Sequence, residues 1–381
     1  MATASTAVKT KRVLLLMSTA GGGHKSAAES IREALTAKYG KKVIIQMVDV
    51  LKEYAPQPLD RMPEAYQMMI KSPATWKGVY DMTDGTRRSK MLNMSISLIT
   101  RRHAERLLDE HPADVIVSTF HFANAPVLET LQRRKDTTPF ITVITDLVTA
   151  PPVWFDKRNT LCIAPTQQVA DLAIEYGLNP DIIKVIGMPV ADRFVPPAQP
   201  KAELKAALGW DANKPAIIAM AGAEGIGSLG RIAAVLTTLD ATIIVITGKN
   251  AALYKKLTLR TTAPNVKIYG FVKNMNELMQ AADLIVTKAG PGTIMEALNS
   301  HLPLLLYSKL SGQEDGNVSF VTQNGAGLWQ PRISSMARSI QVLLDNPRAL
   351  PGMATAAADI AQTGANAKIA AAIGKQLELR A

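Results

Sequence analysis

Val13-Leu-Leu-Leu-Met-Ser-Thr-Ala-Gly-Gly-Gly-His24 is the stretch whose reading decides the fold class. Five consecutive apolar residues without polar alternation mark a strand covered on both faces. A glycine-rich turn follows at once, then a helical pattern over residues 25–39 with Ala27, Ala28, Ile31 and Leu35 on one side. Gly40 stops it, and Val43 to Val48 reads as the next strand. A strand–helix–strand unit of this kind predicts a parallel sheet. Further buried-strand runs stand at Val115 to Val117, Phe140 to Ile144 and Thr160 to Ala164. Phe194-Val-Pro-Pro-Ala-Gln-Pro200 then breaks the rhythm as a stiff, extended connector. Beyond it the pattern restarts at Ala216 to Met220, Ala241 to Ile246, Val266 to Tyr269, Leu284 to Val286 and Leu304 to Tyr307. The reading is α/β, with two Rossmann-like doubly wound domains at 1–195 and 196–381. An Ala-rich helix at the C-terminus is free to cross back to the first domain.

The 381 residues suit two domains on a scale of roughly 150 residues each. A composition 47% hydrophobic and 20% charged excludes intrinsic disorder and collagen-like repeats. The net charge of +11, from 43 Lys and Arg against 32 Asp and Glu, calls for a polyanionic partner. Nucleic acid, an anionic membrane surface and a phosphorylated ligand all qualify. Aromatics at 5% weaken single-strand nucleic-acid binding by base stacking. The lone Cys162 excludes an intramolecular disulfide and suits a reducing compartment. No apolar run reaches the roughly 18 residues of a membrane span. Met1 to Thr10 lacks the pattern of a signal peptide, so a cytoplasmic chain is expected.

Glycines recur where strands hand over to helices, and such junctions aim unpaired N–H groups and a helix dipole at an anion. Gly21, Gly22 and Gly23 form the first loop, and Gly222, Gly225 and Gly227 the second. The dinucleotide fingerprint fits the first loop poorly, because Ser26 occupies its third glycine position. Asp49, ending the next strand, keeps a ribose-binding acid and hence NAD open. A P-loop is excluded more clearly, since His24 stands where its glycine belongs. Thr287-Lys-Ala-Gly-Pro-Gly-Thr293 is more specific. Lys288 supplies charge, Gly290 and Gly292 flank Pro291 and permit close approach, and Thr293 is placed to cap a helix starting near Ile294. Glu296 falls on that helix within reach of a ribose. Gln313, Glu314 and Asn317, just past the strand 304–307, suit polyhydroxyl recognition. A tight turn serving packing alone is the bland alternative for the glycines. His24 and His121 follow strands 13–17 and 115–117, and an imidazole with an ordinary pKa near 6.5 suits a general base. Asp146 is placed to orient an imidazole or an incoming hydroxyl. No Asp-x-Asp occurs, so no metal is expected at a diphosphate.

With these motifs in order, the chain resembles the monogalactosyldiacylglycerol synthases and their diacylglycerol glucosyltransferase relatives, GT-B enzymes of glycosyltransferase family 28. The resemblance runs from about Val13 to Gly327. It includes Gly21 to Lys25, Thr142 to Asp146 with Trp154 and Phe155, Gly187 to Val190, Gly222 to Gly225, Thr287 to Glu296, and Gly312 to Asn317. It implies two domains facing a central cleft and inverting transfer of a hexose from a UDP-hexose to 1,2-diacylglycerol. The Lys-Ala-Gly-Pro-Gly-Thr form favours galactose, with UDP-glucose the alternative donor. By position, His24 would be the base or its close partner, and Gly222, Gly225, Phe271 and Val272 would hold the uridine diphosphate. Gly290, Gly292 and Thr293 would meet phosphates, Glu296 the ribose, and Gln313, Glu314 and Asn317 the hexose. Gly22, Gly23, His121 and Trp154 would lie on the acceptor side, with Trp154 near anionic lipid. The short N-terminus fits a prokaryotic cytoplasmic enzyme.

A lipid acceptor requires contact with a bilayer, and Arg61 to Arg106 suits it. Arg61, Lys71, Lys77, Arg87, Arg88, Lys90, Arg101, Arg102 and Arg106 outnumber Glu64, Asp81, Asp84 and Glu105. Trp76 and several methionines are interleaved. The expectation is a peripheral enzyme on the inner face of the cell membrane, with no resident cofactor and anionic lipid as a candidate activator. A nucleic-acid-binding protein would explain the charge alone, and a soluble GT-B enzyme acting on small sugars would need no basic apolar stretch. Oligomeric state is not legible.

Overall fold

The computed structural model describes residues 10–69, 78, 86–221, 228–261 and 263–379. The chain divides into two compact units, Met1–Ala191 with Gly364–Ala381, and Asp192–Thr363. In the first lie β1 (Lys11–Met17), α1 (Gly22–Tyr39), β2 (Val43–Asp49), α2 (Met62–Met69), α3 (Thr86–Glu110), β3 (Val115–Ser118), α4 (His121–Arg134), β4 (Phe140–Val143), β5 (Leu161–Ala164), α5 (Gln167–Glu175) and β6 (Ile183–Val185). The second holds α6 (Lys201–Ala207), β7 (Ala216–Met220), α7 (Leu229–Leu236), β8 (Thr242–Ile246), α8 (Ala251–Arg260) and β9 (Val266–Tyr269). It continues through α9 (Met275–Ala281), β10 (Leu284–Lys288), α10 (Pro291–Asn299), β11 (Leu304–Ser308), α11 (Asp315–Gln323), β12 (Gly327–Trp329), α12 (Ile333–Asp345) and α13 (Ala349–Asp359). The last helix, α14 (Ala365–Gln376), returns to the first unit.

Every strand pair is parallel, in the orders β2-β1-β3-β4-β5-β6 and β12-β11-β10-β7-β8-β9. Each sheet therefore reverses its winding once, at β1/β3 in the first unit and at β7/β10 in the second. Ligands of open α/β sheets bind outside the strand carboxyl ends at such a reversal.

The apolar run in β1 is divided between two layers. Val13 and Leu15 pack with Ile31, Leu35, Val115 and Val117, whereas Leu14 and Leu16 pack with Val48, Leu107, Ile116 and Phe120. That two-residue alternation, apolar on both sides, is why no polar residue interrupts the run. Each fully buried Leu contributes roughly 1.5–3 kcal/mol.

The division falls at Ala191/Asp192, four residues before the boundary expected from the proline cluster, and residues 364–381 belong with the first unit. Burial explains the return: Ile369, Ala370 and Ile373 of α14 complete the layer against α1, and the Asn366 amide donates to the Val190 carbonyl. Gly374 lies where a β-carbon would overlap the Tyr39 ring and hydroxyl. Gly374→Ala is therefore expected to destabilise the protein by about 1–3 kcal/mol through overpacking, despite alanine's better helix propensity, as read by urea unfolding. Among the described residues no helix is long and apolar enough to cross a membrane.

Candidate active site

At the β1/β3 reversal, Gly21 takes φ +80°, which only glycine adopts readily, and turns the chain into α1. Gly22 and Gly23 form the exposed first turn, and a β-carbon on Gly23 would meet nothing within 4 Å. His24, third in α1, points to the end of β3: its Nδ1 lies 2.7 Å from the Thr119 carbonyl oxygen and 3.0 Å from Thr145 Oγ1. A carbonyl only accepts, so Nδ1 carries the proton and donates it to Thr119. Nε2 is then the lone-pair nitrogen. Thr119 locks the junction further, since its hydroxyl donates to the His24 carbonyl at 3.0 Å.

Around this ring stand Phe120, His121 and Trp154, at centroid distances of 5.2, 5.9 and 6.2 Å. Burial among them lowers the His24 pKa below its ordinary 6.5, while the Asp146 carboxylate and the hydrogen bond to Thr119 act the other way. His121, first in α4, is lowered further by burial and by His24, and its Nδ1 is buried without a partner. Both rings are thus neutral at pH 7, the state a proton acceptor needs.

Asp146 acts on His24 electrostatically, while its Oδ2 accepts from the Trp154 indole N–H at 2.6 Å, and Thr119 and Thr145 contact the imidazole itself. One expectation changes here. Trp154, expected at a lipid surface, has no exposed area, because its ring lies in the layer with Ile144, Cys162 and Val169. Asp49, the residue that kept NAD open, is also engaged. Its Oδ2 accepts from Thr19 N and Oγ1, and its Oδ1 from Lys52 N, so both oxygens serve the loop.

In the second unit β10, which lies at the β7/β10 reversal, ends with an irregular register against β11 between Thr287 and Lys288. Such a bulge re-aims the strand end. Thr293 is not the cap that the sequence suggested. α10 starts two residues before it at Pro291, with Gly290 as N-cap, because proline's fixed φ and missing N–H suit the first helical position. Ile294 N already donates to the Gly290 carbonyl, so the N–H groups of Gly292 and Thr293 are those left without a helical acceptor. A β-carbon at Gly292 would meet nothing within 4 Å, and one at Gly290 would stand 3.8 Å from Glu314 Oε1. Lys288 ends β10 partly exposed. This is a helix N-terminus with free N–H groups of the kind that can receive an anion, with the second carboxyl-end loop beside it.

That second loop is partly self-supporting. Buried Glu314 accepts from Leu310 N at 2.6 Å, so one carboxylate oxygen shapes its own loop rather than a ligand. Buried Asn317 donates to the Ala289 carbonyl at 2.9 Å and leaves Oδ1 unpartnered. Gln313 is partly buried next to them. Phe271 is 60% exposed and Val272 partly exposed after β9. Gly222, Gly225 and Trp76 lie outside the described residues, as does the side chain of Arg87; Arg88, Arg101 and Arg102 are exposed on α3.

Glu296 lies in the second turn of α10, where burial pushes its carboxyl up to about 7 and Arg193, unnoticed in the sequence, opposes this. A folded-state pKa above the ordinary 4.5 means the neutral acid is favoured by folding. Its contribution is present below pH 4.5 and is lost as pH rises through 7. Glu296→Gln should therefore stabilise the protein at pH 8, on the order of 1–3 kcal/mol, and leave stability at pH 4.5 unchanged, as checked by thermal melts at both pH values.

Two parallel Rossmann-like sheets, one with a histidine and one with a glycine-rich helix N-terminus at the winding reversal, define the GT-B class. A solved structure of MurG from Acinetobacter baumannii matches over 96% of this chain and 99% of that one, with TM-score 0.63 and 16% identity. The S. aureus MnaA structure described with UDP matches over 97% and 98%, with TM-score 0.65 and 13% identity. The model for monogalactosyldiacylglycerol (MGDG) synthase matches residues 24–190, and that for the glycosyltransferase family 28 C-terminal domain matches residues 222–371. A "probable monogalactosyldiacylglycerol synthase, chloroplastic" of Nicotiana tabacum is 38% identical over 332 residues, 83% of this chain and 61% of that protein. A "probable monogalactosyldiacylglycerol synthase 2, chloroplastic" of Oryza sativa subsp. indica is 36% identical, over 87% of this chain and 73% of that protein. The chain belongs to the monogalactosyldiacylglycerol synthase family. It spans less than two thirds of the tobacco relative's length.

Proposed function

We propose that the protein transfers galactose from UDP-galactose to the free hydroxyl of 1,2-diacylglycerol, with inversion, at the surface of a membrane. The observation that carries this reading is the His24 imidazole, clamped through Nδ1 to Thr119 at the winding reversal so that Nε2 is the base. The acceptor oxygen attacks the anomeric carbon and its proton passes to His24 Nε2. The new C–O bond forms as the bond to the β-phosphate breaks, and UDP leaves with that electron pair. In the second unit the N–H groups of Gly292 and Thr293, the dipole of α10 and Lys288 meet the departing charge. Glu296 is placed for the ribose and Asn317 Oδ1 for a sugar hydroxyl. With these groups and no Asp-x-Asp in the sequence, the proposed transfer needs no metal ion and should persist in excess EDTA.

Radiolabelled UDP-galactose and UDP-glucose, each offered with diacylglycerol in anionic vesicles, test the reading. Label from UDP-galactose appearing in a β-linked monohexosyl lipid is the expected product. Label confined to water-soluble sugars contradicts a lipid acceptor. The outer face of α3 supports peripheral membrane binding: Met91, Met94 and Leu98 are 66%, 68% and 77% exposed, beside Arg88, Arg101 and Arg102. Each basic residue near an anionic surface contributes about 1 kcal/mol. Vesicle binding should therefore rise with anionic lipid and fall steeply between 50 and 500 mM salt, as read by sedimentation.

A further inference from the structure

The first unit contains an apolar cavity that the chemistry above does not use. Between the π-turn Val50–Tyr54 and helices α3 and α4, its cavity volume is ≈ 50 Å³, within ≈ 530 Å³ of empty space that includes the mouth open to solvent. Its walls are Leu51, Leu107, Ala123 and Val127, with Ile96 and Thr100 among the partly exposed residues lining it. Two of the polar groups along it are engaged elsewhere. The Tyr54 hydroxyl donates to Glu110 and lies 2.9 Å from His111 Nε2, and the Thr100 hydroxyl donates to the Ile96 carbonyl at 2.7 Å. The lining therefore rewards a flexible hydrocarbon.

Position narrows the occupant further. Phe120 and Phe122 line the cavity, and their rings stand 5.2 Å from His24 and 4.2 Å from His121. One aromatic ring thus separates the cavity from the base. On α3, residues 96, 100, 103, 104 and 107 face the cavity at helical spacing, while the exposed Met91, Met94 and Leu98 fall on the opposite side, flanked by Arg101 and Arg102. A single helix thereby presents an apolar, basic-rimmed face outward and a hydrocarbon-lined face inward.

We infer that this cavity receives one acyl chain of the acceptor glycerolipid and so sets its glycerol beside His24. The inference rests on the lipid-transfer reading. Each methylene lodged there adds about fourfold in affinity, so the site also selects for chain length.

The test uses the full chain with a diacylglycerol carrying a diazirine at the end of one acyl chain, in vesicles, with adducts mapped by mass spectrometry. Adducts on Ile96, Thr100, Ala123 or Val127 are expected, and Thr100→Trp, which fills the partly exposed wall, should reduce them at least fivefold. Adducts confined to Met91, Met94 and Leu98, or undiminished in the variant, overturn the inference. In transfer assays Thr100→Trp should raise KM for dipalmitoylglycerol about tenfold more than for dioctanoylglycerol, with KM for UDP-galactose unchanged, and Ile96→Ala should shift selectivity toward longer chains. Transfer in which neither variant alters chain selectivity also overturns it. Wall adducts in a protein that transfers no sugar to any diacylglycerol support the cavity and count against the proposed activity alone.

Discussion

His24→Ala is expected to lower kcat by about 10²–10⁴-fold while UDP affinity stays within about twofold. The loss is chemical only if the clamp can be separated from the base. His24→Asn makes that separation, because its amide N–H can still donate to the Thr119 carbonyl that His24 Nδ1 contacts at 2.7 Å. It should fold normally and lose as much turnover as the alanine variant. The pH profile adds a sign. Burial lowers His24 below 6.5, so the acid limb of kcat/KM should lie below pH 6.5. Asp146 acts to raise His24, so Asp146→Asn should move that limb still lower while slowing transfer, because a weaker base is left. A limb above pH 6.5 would assign proton removal to another group.

Gly292→Asp should weaken donor binding without unfolding the protein, lowering UDP affinity on the order of a hundredfold, or about 2.8 kcal/mol. The side chain would enter space where a β-carbon meets nothing within 4 Å. An acid in the first turn of a helix is itself favourable by about 0.3–1 kcal/mol. The same charge repels a diphosphate from the free N–H groups of Gly292 and Thr293. Gly292→Ala separates size from charge and should weaken UDP by a smaller factor. Calorimetric titration with UDP, beside a melting curve for each variant, reads both quantities. Intact affinity in Gly292→Asp would place the diphosphate elsewhere.

What was legible in the sequence was local. The apolar run from Val13 to Met17 is set by neighbours within a few residues and forms β1 as expected, whereas α1 starts at Gly22, three residues before the helical pattern at 25–39. The start of α10 was misplaced because Pro-Gly-Thr reads as a loop by composition, whereas proline at the first helical position is favoured by its geometry. Trp154 was misread because exposure is a property of the packed layer, not of the residue. Thr119 left no trace at all: it orients His24 through a backbone carbonyl, which every residue possesses. Thr145 and Arg193 act across 121 and 103 residues of sequence respectively, and only the fold brings them to His24 and Glu296. The return of α14 to α1 is likewise a matter of which apolar layer remained uncovered.

The central claim is that His24 is a neutral imidazole with its proton on Nδ1 and its lone pair on Nε2. Imidazole ¹⁵N chemical shifts of the uniformly labelled protein, assigned by comparison with His24→Asn and followed from pH 4 to 9, measure this directly. The Nδ1–H tautomer at pH 7.5 with a titration midpoint below 6.5 is the predicted result. An Nε2–H tautomer at pH 7.5, or a midpoint above 6.5, would contradict it.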